Sequence, residues 1–285
     1  MKVEPVDSHN VSLSDNHPYR TVGMALIFSG CVYILDQWLK TGWITLLVLP
    51  CLGALLFFYG IRTRRLALAI PGALMIGLGW GAFFLLNRLI PISDLTRGGL
   101  LLMCLGAGFI GILAVTIYLQ RVAAYWALVP GFLLISAGLP LILNQAKFFT
   151  FILSIGTGLG TSLLLWGMFQ KLLGLIIPGC LLLGIAPGIF FAWSKAGDFN
   201  GLTETGVMLV WFALGWGLIT ISSRILTHNF IWWPLIPGGL LAVIGWGLYI
   251  GGDPGSAVSF IGNTGSIGLI IFGIYLQLLR RRFKD

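Results

Sequence analysis

Charge is what this sequence most lacks. Of its 285 residues only 9% are Asp, Glu, Lys or Arg, against roughly 25% in a soluble domain, so too few charges exist to clothe a water-facing surface. Cysteine is scarce too. Cys31, Cys51, Cys104 and Cys180 stand singly in apolar runs, which excludes a disulfide scaffold and a cysteine-built zinc site. His9, His17 and His228 lie in a polar tail or a loop and form no His-Glu-x-x-His pair for a metal. No Gly-Lys-Ser phosphate loop and no Gly-x-Ser-x-Gly elbow occur, so the familiar motifs of NTPases and α/β hydrolases are missing. The expectation is no enzyme, with no catalytic, cofactor-binding or metal-binding residues and no cofactor.

What is present is apolar. Hydrophobic residues make up 58% of the chain, with 40 glycines, and they gather into runs long enough to cross a hydrocarbon core of about 30 Å at 1.5 Å per helical residue. Ten spans are expected, at 22–39, 42–61, 66–87, 98–118, 123–143, 148–169, 172–193, 205–223, 229–251 and 257–279. None alternates as a barrel strand would, and a backbone in lipid must satisfy its own polar groups, so the spans are helices. The fold class is all-α, a polytopic membrane helix bundle without a soluble domain.

Lys and Arg are retained in cytoplasmic loops. Twelve fall on one side (Lys2, Arg20, Arg62, Arg64, Arg65, Arg121, Lys171, Arg224, Arg280, Arg281, Arg282, Lys284) and five on the other (Lys40, Arg88, Arg97, Lys147, Lys195). Both termini are therefore expected in the cytoplasm. Topology accounts for the net charge of +8, the bilayer is the partner, and nucleic acid is not expected. Trp38, Trp43 and Trp193 on the outer side, with Trp126, Trp232 and Trp233 on the inner side, suit interfacial anchors. Asp36, near Lys40, and Asp94, Asp198, Glu204 and Asp253 fall at outer ends or loops and read as solvated charges. Residues 1–21 form a polar tail without the basic start and early apolar core of a secretory signal. Phe28-Ser29-Gly30-Cys31 has the form of a lipoprotein cleavage box, but the residues after it stay apolar.

Four spans carry Pro-Gly near their start: Pro71-Gly72, Pro130-Gly131, Pro178-Gly179 and Pro237-Gly238. One constant offset in the numbering, 107, maps the first onto the third and the second onto the fourth without a gap. It also pairs Gly77 with Gly184, Gly108 with Gly215, Trp126 with Trp233 and Thr157-Gly158 with Thr264-Gly265. The expectation is two parallel four-helix repeats, 62–168 and 169–279, after a leading helix pair, 22–61, where the offset matches little, with a basic tail at 280–285. An even number of spans per repeat keeps both copies in the same direction. Each Pro-Gly reads as a packing turn at the membrane boundary. The alternative is a shared cavity lined by carbonyls freed by proline, at Ala67, Trp126, Gly174 and Trp233.

The most polar groups at membrane depth are Thr157, Thr161 and Ser162 on the sixth span and Asn263, Thr264 and Ser266 on the tenth. Thr157, Thr161, Asn263 and Thr264 are the candidate site, read either as a small-molecule site near the axis between the repeats or as helix packing. Packing is suggested by Gly156 with Gly160 and by Gly262 with Ser266, small residues four apart that let helices approach. Gly77 with Gly81, and Ala107 with Gly111, have the same spacing.

The phrase Trp233-Pro234-Leu235-Ile236-Pro237-Gly238, with its partner Trp126-Ala127-Leu128-Val129-Pro130-Gly131, resembles the repeated Trp-x-Leu-Ile-Pro-Gly helices of uncharacterised bacterial membrane proteins. That resemblance implies a bacterial plasma membrane and no particular activity. Drug and metabolite transporters are also similar in length and span number, but their halves are five spans and inverted, whereas the repeat here is four and parallel. Two functions remain open: a structural or accessory subunit packing against other membrane proteins, or a facilitator for a small neutral or lipid-like molecule.

Overall fold

The structure, a computed structural model, describes residues 18–39, 44–88, 91–120, 123–194, 201–227 and 232–251, with isolated helical positions at 255, 259, 262, 263, 265 and 266. The described regular structure is all helical: α1 (Pro18–Leu39), α2 (Ile44–Arg62), α3 (Leu66–Leu86), α4 (Asp94–Gln120), a single 3-10 turn (Tyr125–Ala127), α5 (Leu128–Ile142), α6 (Phe148–Gln170), α7 (Leu173–Trp193), α8 (Gly201–Thr227) and α9 (Leu235–Gly251). Among the described residues seven stretches are long and apolar enough to cross a bilayer, from Ile44–Arg62 through Gly201–Ile225. The apolar parts of α1 (Ile27–Leu39) and α9 (Leu235–Ile250) are shorter. The expected tenth span lies outside the described residues except for a few isolated positions.

Helix ends follow local chemistry. α4 begins at Asp94, earlier than hydropathy suggests, because the Ser93 hydroxyl caps it by accepting the Thr96 N–H at 3.2 Å, a standard N-cap bond. α5 starts late, at Leu128, after the 3-10 turn. Pro130 is then its third residue, where a missing N–H costs no helical bond. Pro71 and Pro178 lie deeper, each the sixth residue of its helix. α2, α5 and α6 end with Arg64, Asn144 and Lys171 at φ of 54°, 52° and 55°. The bonds Arg65 N–H to Gly60 O and Leu172 N–H to Gly167 O, both 2.9 Å, close the last turns in the Schellman pattern, at positions more often held by glycine.

Packing runs in series. Among the described residues each helix makes its extensive contacts with its neighbours in sequence, and α1 touches only α2 to any extent, lightly. The expected bundle is therefore a succession of antiparallel hairpins, closed where glycines let backbones meet. A Cβ on Gly72 would lie 3.0 Å from the Gly53 carbonyl oxygen, and one on Gly179 would lie 2.9 Å from the Gly160 carbonyl oxygen. Gly99 and Gly138 oppose each other across α4 and α5, as Gly206 and Gly245 do across α8 and α9. Gly77 meets Cys104 and Gly108, and Gly184 meets Trp211 and Gly215. Ala107, expected to pack with Gly111, is exposed; its neighbour Gly108 takes the contact.

Adding 107 carries the bounds of α3 onto α7 and those of α4 onto α8 at both ends. It carries the core of Ala73 and Ile112 with Phe57, Ile70 and Leu74 onto that of Cys180 and Ile219 with Leu164, Ile177 and Leu181. The same offset joins the α2–α3 contacts to those of α6–α7, including Gly60 on Ala69 and Gly167 on Ile176. It thus reaches α2, part of the leading pair in which the sequences match little.

Gly179→Leu should destabilise the protein by about 1 to 3 kcal/mol through overpacking, because the Leu164 N and Gly160 O backbone atoms leave it no room. Gly217→Leu, which meets nothing within 4 Å, should change little. Unfolding of the two variants in detergent, side by side, measures the difference.

Candidate functional site

Thr157 and Thr161 sit one turn apart on α6, both half-buried. The Thr157 hydroxyl donates to Leu153 O at 2.6 Å and lies 3.0 Å from Ser154 O, and the Thr161 hydroxyl donates to Thr157 O at 2.7 Å. Both protons are thereby returned to the helix's own carbonyls, the usual economy for Thr in an apolar helix. Ser162, fully buried, donates to Leu159 O in the same way. Asn263 is helical and exposed, while Thr264 lies outside the described residues. The structure therefore does not bring the four candidate residues together as one described site.

The faces of α6 are divided by its small residues. Gly156 and Gly160 meet Ala186 and Gly179 of α7, whereas Gly158 meets Ser136 of α5. The Ser154 hydroxyl donates across to Ser136 O, tying α6 to α5 at membrane depth. Each Pro-Gly glycine sits at a hairpin crossing: Gly72 on Gly53, Gly131 on Gly106, Gly179 on Gly160 and Gly238 on Ala213 and Trp216. Two of the four carbonyls considered as cavity lining are occupied, since Trp126 O accepts the Leu128 N–H and Trp233 O accepts the Ile236 N–H.

Several polar side chains are more buried than their sequence positions suggest. Asp36, expected to be a solvated charge, is 5% exposed, and both the backbone N–H and the hydroxyl of Thr45 donate to its Oδ2, at 3.1 and 2.5 Å. The sequence carries one signal: Ser29, Tyr33 and Asp36 recur at helical spacing in the otherwise apolar stretch 27–36. Arg97 is likewise buried, in the first turn of α4, 3.5 Å from the exposed Asp94 carboxylate. Asp94 and Glu204, placed in loops by hydropathy, belong to the first turns of α4 and α8. Near Arg97, the Ser93 hydroxyl bonds the Asn144 side chain at 3.0 Å, fastening the start of α4 to the end of α5.

At the other end of α4, buried Thr116 donates to Leu113 O and accepts the Ala124 N–H, at 2.9 and 3.0 Å. Its hydroxyl pins the connection leading into α5. Ser223, 107 residues further along the chain and fully buried, donates to Thr220 O at 2.9 Å. The indole N–H groups of Trp166 and Trp216 and the hydroxyl of Thr220 are buried without a hydrogen-bond partner among the described residues. Trp216 packs edge-on against Trp233, and the residues 107 positions before Trp216 and Thr220 are the apolar Phe109 and Leu113. Among the described residues no cluster of His, Cys, Asp and Glu could hold a metal.

Among the described residues the fold is that of a multi-helix chain with seven candidate membrane spans. Comparison with known protein families, with curated proteins and with solved structures finds no match for it.

Thr116→Val should cost about 1 kcal/mol, since it leaves the half-buried Ala124 N–H without its acceptor. Thr116→Ser, which keeps the hydroxyl, should recover most of that loss. Denaturation of the purified variants distinguishes a hydrogen bond from simple packing.

Proposed function

We propose that this chain is a structural or accessory subunit of a membrane complex, resident in a bacterial plasma membrane with both termini cytoplasmic. It is built from a duplicated set of helices. The observation that carries the reading is where most of the described hydroxyls at membrane depth are spent: Thr157, Thr161, Ser162, Thr116 and Ser223 donate to backbone carbonyls of their own helices, and Ser154 donates to a carbonyl of the neighbouring helix. A transport pathway would need such groups facing a passage, whereas here they serve the helices themselves. Broad apolar faces remain outward, with Phe58, Tyr118 and Ile225 more than half exposed, and these suit lipid and neighbouring membrane proteins. The duplication is supported by the helix bounds and glycine crossings that recur at the constant offset, and it orients both halves alike.

A facilitator for a small neutral or lipid-like molecule is the second reading. It is favoured by the buried and unpartnered Trp166, Trp216 and Thr220 polar atoms, whose hydrogen-bonding capacity the described fold leaves unused.

Gentle extraction from the native membrane, followed by mass spectrometry of what stays bound, separates the two. A protein partner in fixed ratio is the expected outcome. Recovery of the chain alone with one enriched small molecule would replace the subunit reading by transport.

A further inference from the structure

Among the described residues, unbalanced charge gathers in one turn. Arg62 ends α2, Arg64 and Arg65 follow it, and all three are exposed. No Asp or Glu occurs in the sequence between Asp36 and Asp94, and among the described residues no carboxylate pairs with these arginines. The turn is fixed by its backbone. Arg64 takes a φ of 54°, and the Arg65 N–H donates to Gly60 O and the Thr63 N–H to Tyr59 O, both at 2.9 Å. The Thr63 hydroxyl donates to the same Tyr59 O at 2.7 Å. Three guanidinium groups therefore sit within four consecutive residues at one end of the α2–α3 hairpin.

The length of α2 sets the depth of that turn. Its 19 residues span about 28 Å at 1.5 Å per residue, close to the hydrocarbon thickness of about 30 Å. With α2 across a bilayer, Arg62 stands at the level of the lipid phosphates. One face of α2 leads to it. Leu55, Phe58 and Tyr59 are each more than half exposed, and with Arg62 they recur at the i, i+3, i+4, i+7 spacing of a single helical face. Gly53 and Gly60 are instead closed against α3. The exposed face thus offers an acyl chain the length of Leu55 and Phe58, and a phosphate the arginine at its end.

The α6–α7 turn is a natural control. It has the same backbone, with Lys171 at a φ of 55° and the Leu172 N–H donating to Gly167 O at 2.9 Å. Neither α3 nor α7 has a side-chain cap at its start, so an open helix N-terminus is common to both turns. The charges are not. Phe169, Lys171 and Leu172 stand 107 positions after Arg62, Arg64 and Arg65. A guanidinium also presents a planar fork of donors that matches two phosphate oxygens at once, which an ammonium does not.

We propose that the α2–α3 turn binds the phosphate of an anionic membrane phospholipid, with Arg62, Arg64 and Arg65 donating to its oxygens and an acyl chain along Leu55 and Phe58. Charge complementarity selects the occupant. A headgroup of net negative charge gains from all three cations, whereas the ammonium of a zwitterionic headgroup is repelled by them. The site requires α2 and α3 to lie in a bilayer but is independent of the accessory role, because lipid retention is read without any protein partner.

The test uses the full chain reconstituted in vesicles of equal phosphatidylglycerol, phosphatidylethanolamine and phosphatidylcholine with matched acyl chains. Lipids carried through detergent extraction at low ionic strength are then quantified by native mass spectrometry. The wild type should retain phosphatidylglycerol about a hundredfold over either competitor, from about fivefold for each arginine. Arg62→Gln or Arg65→Gln alone should lower the preference about fivefold, replacing all three arginines by Gln should abolish it, and Lys171→Gln should leave it unchanged. Exchange of chloride for inorganic phosphate at constant ionic strength should leave the lipid bound; its displacement would make this a site for free phosphate and overturn the lipid assignment. Equal retention of the three lipids by the wild type, the result expected if the arginines serve an acidic protein segment instead, overturns the proposal. So does a preference that survives the triple substitution or falls equally with Lys171→Gln. If the triple variant does not fold, Arg62→Gln and Arg65→Gln decide, because neither touches the left-handed residue: an unchanged preference in both overturns the site, and a fall in both supports it.

Discussion

Everything else in this structure depends on how closely two helix backbones can approach. In lipid the hydrophobic effect gives helices no reason to associate, because acyl chains solvate Leu as well as another helix does. Association must come from dispersion contacts and occasional hydrogen bonds, and both fall away steeply with distance. Glycine removes the side chain that would hold the backbones apart. The opposed pairs Gly53 and Gly72, Gly99 and Gly138, Gly160 and Gly179, and Gly206 and Gly245 are where the hairpins are held. α1 shows the converse: with Cys51 where α6 has Gly158, its contact with α2 is slight and a groove opens.

Polar groups follow from the same economy. A hydroxyl at membrane depth must find an acceptor, and in a helix the carbonyl three or four residues back is always within reach. Thr157, Thr161 and Ser162 take that solution. Ser154 instead spends its proton across the α5–α6 interface, and the Thr116 hydroxyl holds the connection into α5 by accepting the Ala124 N–H. Near helix ends the cost of charge falls, and there the described structure keeps its two buried charged side chains, Asp36 and Arg97.

The likeness at the constant offset is more visible in some helices than in others, for a physical reason. Pro, Trp and Gly are hard to exchange in a packed crossing, so α3 with α7 and α5 with α9 carry recognisable pairs such as Pro71 with Pro178 and Pro130 with Pro237. α2 and α6 share little beyond Gly53 with Gly160 and Gly60 with Gly167, because most other positions face apolar surroundings in which many residues serve. Their likeness lies in the contacts those glycines make and in the left-handed residues Arg64 and Lys171, which no side-chain pattern announces.

Hydropathy and scarcity of charge, read from the sequence alone, determined that the chain is helical and membrane-compatible, because a long uncharged run has one way to satisfy its backbone in lipid. The Pro-Gly spacing marked where hairpins would cross. Only the tertiary structure decided which face of each helix meets which neighbour, and with it the fate of particular polar groups. Asp36 is read as solvated from its place near a helix end, yet it is buried because Thr45, across a short connection, folds back to donate to it. Thr157 and Thr161 are open candidates in the sequence, but their rotamers turn the hydroxyls onto α6 itself. Position along a chain sets what a residue can reach, and the packing of its neighbours sets what it does reach.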